Sequence, residues 1–473
     1  MAKTSFATQD ETFVPFVPTN GYHVYGKLSL KRSLNDPDNT EKAKKLLRVT
    51  EQLTRGAEHA AKISGGELLE AQGELVHVLL PADEPDSRKL LTFAAALNDA
   101  VNRSVRHAAG DEFLGFSQAS CWGAAVIVRS ESFGILSEVS LGDAANQPAK
   151  RLYAVPGVPS GHLAIPESDP LARHLKKENG WANLPVNRDS LTNLIDERQY
   201  QELSEGFTKQ GSVSEFDFEQ KTFQPGQLSP SGAPSHVFGF CLRADMDGFS
   251  SLVSDSWKDG TIEDLVTQFY SVMRDANTFV QTSRYPIIPI PWAGDCATLV
   301  IPHENVQAYR DARQKQPVIA TLEWNRSVVP KKYPKFSDVK WAVGIAGGDI
   351  GNRSFGNIIT AELQGIRRTF PVAVGRGATW SHEAEQAHGL DGDETAIFYP
   401  EDHRELDKGL RDCFSEFKNS QGDVHSYFRK ARNGTLQDAS AKLEKELTSK
   451  LGSVTVSTTS YGEVPKPKPH FDG

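Results

Sequence analysis

In the second half of the chain a strand-like run, Phe238-Gly239-Phe240-Cys241-Leu242-Arg243-Ala244-Asp245-Met246-Asp247, passes straight into Gly248-Phe249-Ser250-Ser251-Leu252, the start of a helix. A carboxylate at such a junction can hold a cation, while the free N–H groups of the helix start hold a phosphate. A second acid, Asp295, occupies the glycine turn of an apolar hairpin running from Pro291 to Pro302. If the strands that carry them are neighbours, Asp245 and Asp295 converge on a pair of divalent ions. Each acid alone reads as a solvated turn residue. Together, on elements that the chain repeats, they read as a metal site.

The elements that must position these acids occur twice. His23-Val24-Tyr25-Gly26 returns as His236-Val237-Phe238-Gly239, and each string opens a strand-like run followed by a long helical stretch. A hairpin with a glycine and an acid at its turn comes next in both copies, Gly73-Glu74 in the first and Gly294-Asp295 in the second. Then follow a helix, an apolar strand, another strand and a further helix. Strands alternating with helices, with hairpins inside, predict an α/β (α+β) architecture of two tandem ferredoxin-like or palm domains rather than a strictly parallel sheet. The copies are expected at 13–205 and 235–445, joined by a Gly-, Pro-, Ser- and Gln-rich linker at 206–234 and followed by a tail at 446–473.

The 473 residues suffice for two such domains, and 38% hydrophobic with 24% charged residues is the make-up of a soluble globular protein. Mean hydropathy is -0.43. No apolar run approaches the ~18 residues of a membrane span, and the start lacks the basic and apolar regions of a signal peptide. A cytoplasmic location without a membrane partner is expected. A net charge of -9, from 61 acidic and 52 basic residues, excludes a phosphate-tracking nucleic-acid binder and leaves room for a small local anion site. Cys121, Cys241, Cys296 and Cys413 are too scattered for a zinc cluster or a disulfide framework and read as buried thiols.

The second half resembles a class III nucleotide cyclase, the adenylate and guanylate cyclase catalytic domain. Ala244-Asp245-Met246-Asp247-Gly248-Phe249-Ser250-Ser251-Leu252 is similar to the family's F-A-D-I-x-G-F-T-x-L opening, Gly294-Asp295 to its second metal motif, and Val343-Gly344-Ile345-Ala346-Gly347-Gly348 to its R-x-G-I-x-x-G strand. The resemblance covers 235–395 well and 20–155 weakly. It implies that Asp245, Met246 and Asp295 hold two Mg²⁺ or Mn²⁺ ions and that amides at Gly248, Phe249 and Ser250 cradle a triphosphate. It also implies an Asn, and an Arg four residues on, that stabilise the reacting α-phosphoryl group. The second half has Thr379 and Glu383 at those places; the first half supplies Asn146 after Gly142-Asp143-Ala144-Ala145, with Lys150 four and Arg151 five residues on. In the first half the metal positions are spoiled, with Arg32 set against Asp245 and Glu74 against Asp295.

Because the family builds each active site across a dimer interface, this complementary decay implies an intrachain pseudo-heterodimer with one complete site: Asp245 and Asp295 with Asn146 and Lys150 or Arg151. The opposite site, with Arg32, Glu74, Thr379 and Glu383, should be dead. Asn146 could instead be a helix N-cap and the two cations a solvated helix face; helical spacing prefers Lys150. Glu70 and Val139 stand where adenine readers would be. Soluble two-part bacterial cyclases lacking those readers resemble the pyrimidine cyclases of antiphage (Pycsar) systems, whose cyclic nucleotide reaches a downstream effector. The resemblance therefore implies UTP as substrate and cyclic UMP as product, with CTP close behind. Glu70 would suit the cytosine amino group, and an adenylate cyclase is a further alternative. A non-catalytic nucleotide sensor and a palm-type polymerase or dinucleotide cyclase are the other classes, and a homodimer of two-domain chains is possible.

Overall fold

The computed structural model describes residues 15–202 and 235–431 apart from 36, 38, 133–134, 349–357, 366–368, 389–395, 399–403, 412–413 and 419–426. The expected linker and tail, and Cys413, lie outside the described residues.

The first half runs through β1 (Phe16–Leu30), a helix Thr40–Ile63, a hairpin of β2 (Glu67–Gln72) and β3 (Leu75–Pro81), and a helix Ser87–Ala109. It continues with β4 (Phe113–Ser132), β5 (Ile135–Leu141), a helix Asp143–Tyr153, and β6 (His162–Pro166), β7 (Lys177–Glu178) and β8 (Trp181–Pro185). The second half repeats the plan: β9 (Ser235–Asp247), helices Phe249–Lys258 and Ile262–Thr282, and a hairpin of β10 (Ile288–Ala293) and β11 (Cys296–His303). Helices then lead to β12 (Lys340–Ala346), β13 (Ile358–Gln364), β14 (Thr369–Val374), a helix Arg376–His388 and β15 (Ala396–Phe398). The first sheet has the order β2-β3-β1-β4-β6-β8-β7 with β5 on β4; the second has β10-β11-β9-β12-β15, with β13 on β9 and β14. Central strands β1 and β9 are each flanked by a hairpin strand and a later strand, all antiparallel.

Local sequence explains these elements. The helix Thr40–Ile63 opens where Asn39 accepts a hydrogen bond from the Lys42 amide, and it buries Leu46, Leu47, Val49, Leu53, Ala57, Ala60 and Ala61 along its length. Asp86 caps the next long helix in the same way. Gly73 and Gly294, at φ 53° and 59°, let both hairpins turn in two residues.

The halves exchange arms. Ile359, Ala361, Leu363, Phe370, Val372 and Val374 of β13 and β14 are buried in the core of the first half. Reciprocally, Val128, Val139 and Leu141 of β4 and β5 join the core of the second, with Phe240, Phe269 and Trp292. The two domains are thus one interlocked body in which burial of apolar area fixes the interface.

The string that announces the repeat is not a structural equivalence. Tyr25 lies on the cleft side of β1 with Ala119 and Leu152, whereas Phe238 faces the helices of its own half. Strand side chains alternate, so matching the two strings turns every residue to the wrong face. The ladders give the true register: Lys27 pairs with Leu75, the residue after the turn acid Glu74, and Ala244 pairs with Ala297, which sets Asp245 opposite Cys296, the residue after Asp295. Lys27, not Arg32, is therefore the counterpart of Asp245.

Candidate active site between the two halves

Along β9, Phe240, Leu242, Ala244 and Met246 face the helices, so Cys241, Arg243 and Asp245 face the cleft between the halves. Asp295 reaches the same place from the β10–β11 turn, its carboxylate taking hydrogen bonds from its own amide and from that of Met246. The structure brings these two acids together. Burial, then the neighbouring Asp295 and Glu385, push the Asp245 carboxyl well above the usual range. Burial and Glu385 likewise push Asp295 up to about 7, while Lys150 of the first half draws it down. Two partly buried carboxyls that cannot comfortably ionise together make a place where positive charge is stabilising.

Glu385 comes from the helix Arg376–His388, which lies directly on β12. A Cβ built on Gly344 would sit 2.3 Å from both the Glu385 amide and the Ser381 carbonyl, so only glycine permits this packing. Gly344 is opposite Arg243 and Ala342 opposite Asp245, which puts Glu385 beside the acid pair. Sequence reasoning missed Glu385; the glycine at 344 was the one signal for it.

From the first half the helix Asp143–Tyr153 faces these acids. Its N-cap is Gly142, so Asn146 lies inside the first turns and is not the cap; its Nδ2 is buried without a hydrogen-bond partner. Such an atom costs stability unless a ligand satisfies it. Lys150 is exposed toward Asp295. Arg151 does not join them: it is buried and its Nη1 donates to the Pro156 carbonyl at 2.7 Å, a tie within the first half. The helix is pinned to the second half where Ser254 Oγ donates to Asp143 Oδ2 at 3.1 Å. Nearby, Trp257 Nε1 donates to the Leu141 carbonyl at 3.3 Å.

The helix Phe249–Lys258 begins after Gly248 with no side chain capping its first amides, which leaves them for an anion. Phe249 offers only its amide, since its ring packs on Phe269 and Phe336; Ser250 is half-buried at the cleft. Met246 is 1% exposed, so its side chain belongs to the core and only its main chain is available to a metal. Val139 is likewise closed into the apolar core across the interface and has no polar atom to read a base. Glu70, by contrast, keeps a buried carboxyl with Oε1 unpartnered. Burial holds it up to about 7 against the pull of Arg243.

The opposite composite site is filled by its own residues. Lys27 Nζ lies 3.4 Å from Glu74 Oε1, an ion pair where the other half has two acids. Asn35 Nδ2 donates to Glu74 Oε2, Thr379 Oγ1 donates to the Asn35 carbonyl at 3.0 Å, and Arg32 pairs with Glu383 at 3.3 Å.

The donor set suits hard divalent cations: two carboxylates and main-chain oxygen, with further ligands supplied by substrate phosphates. Among the described residues no group of three or more His, Cys, Asp or Glu side chains is placed to hold a metal by itself.

This is the class III nucleotide cyclase fold. Among solved structures the chain is similar to a class III adenylyl cyclase-like ATP-binding protein from Pseudomonas aeruginosa, at 16% identity and TM-score 0.65 over 90% of this chain and 91% of that one. The guanylyl cyclase Cya2 matches 38% of this chain with 98% of its own, at 14% identity and TM-score 0.29. The adenylyl cyclase CyaB from P. aeruginosa matches 42% with 97%, at 11% and 0.29. No family model matches the chain, and no curated protein does. No helix of the described residues is long and apolar enough to cross a membrane.

Proposed function

We propose that the protein is a nucleoside triphosphate cyclase with one composite active site per chain. The observation that carries this reading is the convergence of Asp245 and Asp295 from one half with Lys150 and the unpartnered Asn146 amide of the other. Asp245, Asp295 and the Met246 main chain would hold two Mg²⁺ or Mn²⁺ ions. Such ions acidify a substrate hydroxyl and neutralise a leaving pyrophosphate. The chain's own groups do the rest. The uncapped amides at 248–250 bind the triphosphate, and Lys150 adds a positive charge beside it. Asn146 donates its Nδ2–H to the α-phosphoryl oxygen as charge builds there, so that in-line attack by the 3′-hydroxyl closes a 3′,5′-cyclic nucleotide.

The base we assign is a pyrimidine, UTP ahead of CTP. Support comes from Glu70, whose buried and unpartnered Oε1 can accept an N–H from a base edge; Val139, closed into the core, takes no part. A role in antiphage defence, with a downstream effector for the cyclic product, rests on the family resemblance. Incubating the protein with each of the four ribonucleoside triphosphates and Mn²⁺, and weighing the products, tests both levels. Cyclic UMP is expected in excess. A purine product in excess would discard the base assignment and keep the cyclase.

The second reading is a nucleotide sensor that binds without turnover. It is favoured by the absence of an Arg at the Lys150 position and by the ATP binding named for the similar Pseudomonas protein. Binding of a triphosphate with no cyclic product under any metal would establish it.

A further inference from the structure

The two clefts are tied across the interface at different points. In the closed cleft the ties fall on the helix positions that matter for chemistry: Arg32 and Asn35, from the short segment after β1, hold Glu383 and Thr379 of the facing helix, the residues that stand in the places of Lys150 and Asn146. In the cleft of Asp245 and Asp295 the segment after β9 makes the corresponding ties about a turn earlier. Ser254 Oγ donates to Asp143 Oδ2 at 3.1 Å and Trp257 Nε1 to the Leu141 carbonyl at 3.3 Å. These bonds pass over Asn146 and Lys150, and the Asn146 Nδ2 stays unpartnered.

Ser254 and Trp257 belong to the helix whose uncapped first amides are offered to a triphosphate. With Ser250 they follow at spacings of four and three, which sets all three on one face of that helix. Their acceptors bracket Gly142, where β5 turns into the helix Asp143–Tyr153. That turn is pressed on β4: a Cβ on Gly142 would lie 2.6 Å from the Ala124 carbonyl, and a Cβ on Gly123 would lie 3.0 Å from that of Ala144. The start of the helix that carries Asn146 is thus held by the sheet on one side and by the phosphate-binding helix on the other.

We propose that Ser254 and Trp257 are positioning residues for the reaction: through Asp143 and the Leu141 carbonyl they fix how far Asn146 and Lys150 stand from the amides at 248–250, so that a triphosphate seated on those amides meets both side chains. This rests on the reading of the cleft as a triphosphate site. Neither residue reaches the reacting atoms, since Ser254 and Trp257 lie one and two turns along the helix from Ser250. Their effect is through distance. A donor acts on developing charge only at contact, and a misplacement of about 1 Å costs up to about 10²-fold in rate. Bonds that merely glued the halves together would set stability and leave that distance to other contacts.

The test compares Trp257→Phe, which keeps a ring and removes the donor, with Ser254→Ala and with Ser254→Thr, which keeps the hydroxyl. In turnover of the best of the four ribonucleoside triphosphates with Mn²⁺, Trp257→Phe should lower kcat about tenfold and change KM less than about twofold. Ser254→Ala should lower kcat about threefold, and Ser254→Thr should restore it. On the Asn146→Ala background Trp257→Phe should add little, since the group it places is gone. A second readout needs no chemistry: binding of inorganic tripolyphosphate with Mn²⁺. The loss of affinity caused by Lys150→Ala should be about threefold or more smaller in a Ser254→Ala, Trp257→Phe chain than in otherwise wild-type protein. A lower melting temperature with kcat unchanged, full additivity with Asn146→Ala, or the same Lys150→Ala loss in both chains overturns the inference. The serine variants keep it falsifiable should Trp257→Phe not fold. If wild type turns over no triphosphate and the Lys150 coupling holds, the cyclase reading falls and the positioning stands; if tripolyphosphate does not bind wild type, both fall.

Discussion

The two composite sites are built from corresponding elements and hold opposite charge patterns. In one, Asp245 and Asp295 stand together and burial pushes both up despite the pull of Arg243 on the first and Lys150 on the second, and Asn146 with an unpartnered Nδ2 faces them. In the other, Lys27 neutralises Glu74, Arg32 neutralises Glu383, and Thr379 is tied to Asn35. The first is electrostatically unfinished and the second is closed. On the reading proposed above only one cleft works, and the other holds contacts that tie the halves together in place of a ligand. Lys27 teaches this most directly: its ammonium stands at the ladder position that Asp245 holds in the other half, so the positive charge proposed to come from a metal there is covalently present here.

The comparison is broken most severely at the acids. Asp245→Ala or Asp295→Ala should lower cyclase turnover by about 10³-fold or more, since each removes charge that only the loaded site can replace. Neither should unfold the chain. Removing one of two carboxyls that repel each other in a half-buried place relieves strain, so Asp295→Asn should leave the melting temperature of metal-free protein unchanged or raise it. A large fall in melting temperature would show that the pair is structural.

A smaller effect is expected on the facing helix. Asn146→Ala should reduce kcat by roughly 10²-fold with little change in KM, because its donor is engaged as charge builds in the transition state. Lys150→Ala should cost turnover without cost to stability. Arg151→Ala should do the reverse, because it frees the Pro156 carbonyl, at about 1–3 kcal/mol. Equal kinetic loss from Arg151→Ala and none from Lys150→Ala would overturn the assignment of the cation. Mixing Asp245→Ala chains with Asn146→Ala chains should restore nothing, since both partners of the site lie in one polypeptide. Recovery of activity would mean that two chains must meet.

Much of this was legible in the sequence because it rests on short-range patterns. The strand end before a helix at Asp245, the glycine turn at Asp295, and the helix after Gly142 that carries Asn146 each have a local signature, and each of these elements is present. What misled was a four-residue string: it matched in letters and not in strand phase, and so set Arg32 in place of Lys27. Phase becomes visible only through the ladder, a pairing between distant segments. The exchange of β13 and β14 for β4 and β5 was hidden for the same reason, as was the burial of Val139. Arg151 and Lys150 are adjacent in sequence, yet about 100° apart around the helix one is buried and the other exposed, and the Pro156 carbonyl that claims Arg151 becomes a partner only once the chain has turned there. Glu385 could be reached only through Gly344, whose lack of a side chain signals close approach but does not name what approaches.

The smallest effects belong to the closed cleft, and they sharpen the contrast by their size. Arg32 and Glu383 have side chains 54% and 32% exposed, so their pair is screened by solvent and Arg32→Ala should cost no more than about 1 kcal/mol, with turnover unchanged. Lys27 and Glu74 are less exposed, at 22% and 30%. Lys27→Met should therefore cost somewhat more, about 1–2 kcal/mol, because Glu74 keeps its charge and loses its partner. Lys27→Asp goes a step further and restores two acids at the hairpin, as in the working half. The variant should be less stable than wild type without metal and should recover part of the loss when Mn²⁺ is added, since an ion that binds only the folded form stabilises it by mass action. Melting curves with and without Mn²⁺, run on the Asp245→Ala background so that the working site contributes little, read this directly. No gain from Mn²⁺ would mean that the closed cleft has lost more than its charge pattern, and that Lys27 is one change among several rather than the residue that replaced the metal.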